Sequence, residues 1–132
     1  MSSRWVFIPS AAAAPDQTIS GTFDSGSTST GAADNDATLD PSITGLQQVL
    51  ARGSSGLNHI QLVFDTSTNR DSFVSAVPNG STCVFTHEGT TYTASSIGYT
   101  TFRQAARIPG SDFDSFPSSV SASDTYTIEF TT

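Results

Sequence analysis

Alternation of apolar and polar residues dominates the second half of the chain. In residues 59–64 and again in residues 124–130, every second residue is large and apolar. A period of two is typical of β-strands with one buried face. Residues 83–86 and 91–94 also have strand composition, and the four residues between them include Gly89, which suits a positive φ. We therefore predict antiparallel strands here, including a hairpin.

Helical spacing is clearest at residues 41–51. Asp40 suits a helix cap, Pro41 the first helical position, and Gly53 the stop. The apolar residues that would share one face of this helix are Ile43, Leu46, Val49 and Leu50. A second, shorter helix is predicted at residues 69–77, with Asn69 as its cap.

Residues 1–39 differ in composition from the rest of the chain. From residue 16 to 38 the chain is mostly Ser, Thr, Gly, Ala and Asp, with Ile19 and Phe23 as its sizeable apolar residues. Such a stretch buries too little surface to offset its ordering entropy. We predict an extended polar arm, ordered either by other subunits or by its own domain as an edge strand. The apolar residues 5–8 could form a further strand or add to a neighbour's sheet.

The predicted fold class is mainly β with one or two short helices. We expect an antiparallel β-sandwich or barrel-like domain at residues 40–132, preceded by the extended N-terminal arm at residues 1–39. A chain of 132 residues is long enough for one self-supporting core. The lone Cys83 is expected to be a small core residue, since no second cysteine is present for a disulfide.

Charge argues against two classes of partner. The net charge is −7, lysine is absent, and five arginines carry all the positive charge. A chain with this balance is repelled by nucleic-acid phosphates and by anionic membrane surfaces. The apolar run at residues 5–8 stops after four residues, whereas a secretory signal needs about 7 to 15 and a membrane span about 20. We expect neither secretion through this segment nor membrane insertion.

Candidate catalytic and metal-binding groups are sparse. His59 and His87 are the two histidines, and no Gly-x-Ser-x-Gly motif accompanies them. Residues 34–40 place oxygen-bearing side chains at alternate positions, but the glycine and the glutamate of an EF-hand are missing. Asp112 and Asp114 lie in a turn-rich segment, where carboxylates are usually solvated. We predict no catalytic residue, no metal site and no cofactor.

The whole organisation resembles that of small structural proteins of tailed bacteriophage virions. The shared features are a lysine-free, Ser/Thr-rich β domain, a polar N-terminal arm, a short helix and a closing strand. The resemblance covers capsid decoration (cement) proteins and tail or fibre components, and it rests on no diagnostic motif. It implies a non-enzymatic protein located in the virion, which contacts capsid or tail subunits and copies of itself.

Aromatic and large apolar residues outside the regular pattern are the interface candidates. They are Trp5, Phe7, Ile8, Phe23, Phe113 and Phe116. Phe113 and Phe116 could equally close one end of the core. The alternative function is a carbohydrate- or cell-surface-binding β-sandwich, for which Tyr92, Tyr99 and Phe102 would be the stacking residues. A small hydrolase centred on His59 or His87 is the third and least favoured hypothesis.

Overall fold

A computed structural model describes residues 15–24, 31–36, 39, 43–53 and 56–132. These residues form nine strands, one α-helix and a short 3₁₀ turn at Gly110–Asp112. In chain order the elements are β1 Gln17–Thr22, β2 Ala32–Asp34, β3 Leu46–Arg52, β4 His59–Phe64, α1 Ser67–Ala76, β5 Thr82–His87, β6 Thr90–Ala94, β7 Thr100–Phe102, β8 Ala105–Pro109 and β9 Thr125–Thr131.

The strands form two antiparallel sheets. The four-stranded sheet has the order β1-β9-β5-β6, and the five-stranded sheet has the order β2-β3-β4-β8-β7. Inward-facing residues of both sheets belong to one hydrophobic cluster. The predicted mainly-β, antiparallel fold class is therefore confirmed, and the two sheets share their core as in a β-sandwich.

Helix α1 contributes one large side chain to this core. The Phe73 ring lies 5.6 Å from that of Phe64 in β4 and 5.4 Å from that of Phe130 in β9, measured between centroids. Phe73 thus contacts both sheets. Cys83 is fully buried, as predicted, and burial raises the pKa of its thiol to about 12. The core therefore holds this cysteine as an apolar residue.

The predicted strands of the second half are confirmed. Strand β4 covers the predicted residues 59–64, and β9 covers most of the segment predicted near the end of the sequence. The hairpin of β5 and β6 is tighter than expected, because only Glu88 and Gly89 lie between the strands. Both have positive φ, +47° and +81°, as a two-residue hairpin turn requires.

The helix predicted at residues 41–51 is wrong, since β3 occupies Leu46–Arg52. Val49, Leu50 and Ala51 are buried in succession, so this strand lacks the polar alternation of a half-exposed strand. A register shift between Leu46 and Gln48 further offsets the apolar positions. Together these features imitate helical spacing.

The shorter predicted helix is confirmed as α1, which begins two residues earlier than expected. Thr66, rather than Asn69, is the cap, because its hydroxyl accepts a hydrogen bond from the Asn69 backbone N–H at 3.1 Å. No helix in the described ranges is long and apolar enough to cross a membrane.

The predicted polar arm contributes strands to both sheets. Strand β1 pairs with β9, and β2 pairs with β3, although both precede residue 40. Ile19 and Phe23 are almost completely buried in the core. Where the structure describes it, this segment therefore packs on its own domain, as the second alternative predicted. Its strands β1 and β2 lie in the same two sheets as the strands that follow the boundary expected at residue 39. Residues 5–8 lie outside the described residues.

Candidate interaction surface

The outer faces of the two sheets have different chemistry. Register and strand alternation place a nearly uniform set of hydroxyl side chains on the outer face of the four-stranded sheet. The set is Thr18, Ser20, Thr22, Thr82, Val84, Thr86, Thr91, Thr93, Thr125, Thr127, Glu129 and Thr131. Threonine is β-branched and polar, so it suits exposed strand positions. Sheet formation alone accounts for this face.

The outer face of the five-stranded sheet is mixed in character. Ala33, Leu50, Gln61 and Arg107 face the same way in one row across four strands. The next row contains Gln48, Val63, Ala105 and Phe102. Ala33, Leu50 and Ala105 are buried, yet they do not belong to the central core cluster. This face thus combines apolar, amide and arginine side chains, which sheet formation alone does not require.

Phe102 is the exposed large apolar side chain of the described residues, with 45% of its surface accessible. It borders a hollow of about 230 Å³ on the outer face of the five-stranded sheet. The lining residues are Gln48, Leu50, Arg52, Gln61, Val63, Phe102, Arg103, Gln104 and Ala105. An exposed aromatic beside such a hollow is a candidate contact site.

Two contacts hold the Arg107 side chain in place. Its Nε donates a hydrogen bond to Oε1 of Gln61 at 2.9 Å, and Gln61 is itself buried. Its guanidinium carbon lies 4.3 Å from the centroid of the Phe102 ring, within the range of a cation–π contact. These two contacts fix the guanidinium group on the sheet surface.

Arg103 lies in the turn between β7 and β8 and approaches the same ring. Its φ is +54°, and its guanidinium carbon is 5.3 Å from the Phe102 centroid. The Arg103 carbonyl accepts a hydrogen bond from the Arg70 guanidinium on α1. Arg70 is also paired with Asp71 at 2.8 Å. The helix therefore braces the hairpin that carries Phe102. We call Gln61, Phe102, Arg103 and Arg107 the Phe102 patch.

The predicted interface residues are distributed differently. Phe23 stacks on Tyr126 at 4.3 Å in the core, and Phe113 is also buried, so neither can anchor a partner as predicted. Phe116 is half-buried and packs against Phe113 at 5.1 Å. Phe113 and Phe116 instead close part of the core, as the alternative proposed. Trp5, Phe7 and Ile8 lie outside the described residues.

The three suggested stacking residues do not form one surface. Tyr92 lies opposite Phe85 on the inner face of the four-stranded sheet, and their ring centroids are 6.2 Å apart. Tyr99 packs edge-on against Phe73 at 6.3 Å. Phe102 lies on the outer face of the other sheet. Of the three, Phe102 alone presents an exposed ring.

Both histidines make local polar contacts. Nε2 of His87 lies 2.8 Å from Oδ2 of Asp124, and Nδ1 of His59 lies 2.7 Å from Oδ1 of Asn58. Burial, followed by the positive charges of Arg107 and Arg52, lowers the pKa of His59. No hydroxyl donates to either ring within the described part of the chain. The geometry does not assemble a nucleophile beside either histidine.

The acidic candidates of the sequence bind backbone groups or a tyrosine. Asp112 accepts from the Gly98 N–H at 2.8 Å, and Asp114 accepts from the Thr93 N–H at 3.1 Å. Asp34 is buried and accepts from the Tyr126 hydroxyl at 2.8 Å. Among the described residues, no group of three or more histidine, cysteine, aspartate or glutamate side chains is placed to hold a metal ion.

Sequence reasoning missed Arg103, Arg107 and Gln61. The available signal was the proximity of two of the five arginines to Phe102 in a short segment. In comparisons with known proteins, no family model matches the chain, and no curated protein or solved structure is significantly similar to it.

Proposed function

We propose that this chain is a non-enzymatic structural protein of a bacteriophage virion, which packs against capsid or tail subunits and against copies of itself. The observation that carries the proposal is the exposed Phe102 ring with two arginines beside it on the outer face of the five-stranded sheet. Aromatic residues and arginine are enriched at protein interfaces and supply much of their binding energy. This face therefore suits contact with another protein.

The position of Phe102 at the sheet edge supports the same proposal. Strand β7 ends the five-stranded sheet, and its three residues are exposed. An edge strand presents backbone donors and acceptors to which a neighbouring chain can add. At the other end of this sheet, β2 is partly covered, because Ala33 forms an isolated bridge with Asp24. The β7 side combines an accessible edge with an aromatic anchor.

Particle incorporation tests this proposal. Virions of the phage that encodes the chain are purified by density gradient, and the chain is quantified in them by mass spectrometry. We expect it at a fixed ratio to the major capsid or tail protein. Phe102→Ala should lower incorporation by about tenfold or more, because truncation of an aromatic side chain at the centre of an interface costs about 2 kcal/mol or more.

Thr127→Ala is the matched control. It truncates a side chain at a strand position on the threonine face of the other sheet. We expect this variant to enter particles within about twofold of the unmodified chain, since surface substitutions usually change stability by less than about 0.5 kcal/mol. Absence of the unmodified chain from purified particles would overturn the proposal. Equal loss with both variants would show that the Phe102 face is not the contact surface.

A carbohydrate-binding module is the second candidate, and the hollow beside Phe102 favours it. Three amide side chains, Gln48, Gln61 and Gln104, line this hollow together with the aromatic ring. Amides and aromatic rings are common in small-molecule sites, where they supply hydrogen bonds and apolar contact. Binding of the isolated chain to a glycan array, lost in Phe102→Ala and retained in Thr127→Ala, would support this candidate. A blank array at high protein concentration would exclude it.

A further inference from the structure

Two positive charges share the Phe102 ring, and among the described residues neither is paired with a carboxylate. The described ion pairs are Arg70–Asp71 and His87–Asp124, and neither involves Arg103 or Arg107. The chain nevertheless carries twelve acidic residues against five arginines. Two guanidinium groups held beside one ring repel each other, and an anion bound between them would relieve that repulsion. The patch is thus electrostatically complementary to a carboxylate.

The Arg107 guanidinium is already ordered for binding. Gln61 engages Nε, which leaves the two terminal nitrogens to form the paired hydrogen bonds that guanidinium groups make with carboxylates. Because the Gln61 and Phe102 contacts already restrain the group, little rotamer entropy remains to be lost when a ligand binds. The same contact covers part of the Phe102 ring, which disfavours a sugar stacked on that ring.

The neighbouring edge strand suits an extended ligand. Strand β7 has a paired strand on its β8 side, and the turn that follows it carries Arg103. A peptide segment added alongside β7 would use main-chain hydrogen bonds for affinity, and its side chains would reach the arginines on the same face. An acidic, extended protein segment could therefore pair with the exposed edge of β7 and also neutralise the two arginines.

We propose that the Phe102 patch binds a carboxylate-bearing, extended segment of a partner protein, with Arg103 and Arg107 as the carboxylate-binding residues. This inference rests on the proposed packing function and specifies the chemistry of the partner. The opposite charge of the segment would also select against neutral or basic partners.

The test is a titration of the isolated chain with a hexaglutamate peptide. Binding is detected through the NMR chemical shifts of the backbone amides and of the arginine side chains. Shifts should be confined to β7, β8 and the two arginines. Binding should weaken as salt is raised toward about 0.15 M, where the screening length is about 8 Å. Arg103→Gln and Arg107→Gln should each weaken binding by about tenfold, since each removes a charge-assisted hydrogen bond.

Thr127→Glu is the charge-matched control. It lowers the net charge by one, as each arginine substitution does, but on the threonine face, and should leave the affinity within about twofold of the unmodified chain. Arg107→Lys keeps the charge and checks the fold while it removes paired hydrogen bonding, so it should bind between the unmodified chain and Arg107→Gln.

Three results would overturn the inference. The first is that hexaglutamate does not bind at millimolar concentration, and the second is that hexaglutamine binds equally well. The third is that an oligogalacturonate of equal length binds about tenfold more tightly than hexaglutamate, which would assign the patch to acidic glycans instead. The titration needs no virion. Incorporation without hexaglutamate binding would reject this inference alone, whereas hexaglutamate binding by a chain absent from particles would reject the virion proposal alone.

Discussion

At the residue scale, two buried tyrosine hydroxyls have different surroundings. The Tyr126 hydroxyl donates to Oδ2 of Asp34 at 2.8 Å, and burial followed by the interaction with Asp34 raises the pKa of Tyr126. The buried Tyr99 hydroxyl has no hydrogen-bond partner among the described residues. Burial raises the pKa of this tyrosine as well. The same chemical change should therefore have opposite consequences at these two positions.

Removing each hydroxyl tests this difference. Tyr126→Phe should lower the free energy of unfolding by about 1–3 kcal/mol, because Oδ2 of the buried Asp34 carboxylate loses its donor while Oδ1 keeps the Asp36 N–H. Tyr99→Phe removes an unpaired buried hydroxyl and should be neutral or stabilising. Urea unfolding of both variants measures the effects. Equal destabilisation would show that the Asp34 contact contributes nothing specific.

Asp124 links stability to pH. A hydrogen bond from His87, and then one from the Ser121 N–H, lowers the pKa of Asp124 below its ordinary value of 3.8. Because the folded pKa is below the unfolded one, the ionised carboxylate stabilises the fold above about pH 4, and this contribution is lost as pH falls through the folded pKa. Asp124→Asn should thus be less stable than the unmodified chain at pH 6, and the difference should shrink below pH 4.

Urea midpoints at several pH values measure this effect. Asp71→Asn is the control, since Asp71 is 66% exposed in its pair with Arg70, and carboxylates that remain in solvent contribute little through such pairs. A stability gap for Asp124→Asn that stayed constant down to pH 2.5, well below the ordinary Asp pKa of about 3.9, would contradict the assignment.

At the element scale, the sequence predicted the strands whose alternation of apolar and polar residues follows their alternation of buried and outward-facing positions. Strands β4 and β9 have one face toward the core, so their apolar residues alternate clearly. Strand β3 is buried on both faces at Leu50 and its neighbours and carries a register shift, so its pattern resembled a helix. The pairing of β1 with β9 joins residues more than 100 positions apart, which no local pattern reveals.

The Phe102 patch was predictable only in part. Phe102 was identified as an aromatic candidate, but its relation to Arg103 and Arg107 depends on where the β7–β8 turn falls. That turn contains Arg103 at positive φ, a conformation that favours glycine or asparagine and is unexpected for arginine. The cross-strand register that places Arg107 beside Gln61 is likewise absent from any local pattern.

The turn of the β5–β6 hairpin should be sensitive to substitution of its glycine. Gly89 has φ +81° with open space around its α-carbon, so Gly89→Ala should cost about 1–2 kcal/mol from backbone strain alone. Gly98 has equally open space and no positive φ, so Gly98→Ala should be neutral or stabilise by up to about 1 kcal/mol. Thermal unfolding measures both. A similar loss in the two variants would rule out strain as the cause.

At the scale of the whole molecule, residues before position 40 are part of both sheets. A fragment of residues 40–132 would lack β1 and β2 and the core side chains of Ile19 and Phe23. We expect it to lose cooperative unfolding, because large buried side chains each stabilise the fold by several kcal/mol. A fragment of residues 15–132 keeps every described strand and should retain a cooperative transition. Circular dichroism during heating distinguishes them, and a cooperative 40–132 fragment would restore the predicted domain boundary.

The position of strand β9 determines when the four-stranded sheet can form during synthesis. It lies between β1 and β5 in the four-stranded sheet, yet it is the last strand of the sequence. During synthesis, β1 has no partner in this sheet until residue 125 and its successors leave the ribosome. Closing so long a loop is entropically costly and makes folding slow, on the order of milliseconds to seconds. Until β9 is available, Ile19 lacks its cross-strand neighbour Ile128 and Phe23 lacks the Tyr126 ring, so a nascent chain stalled before residue 125 would leave both side chains without these native contacts.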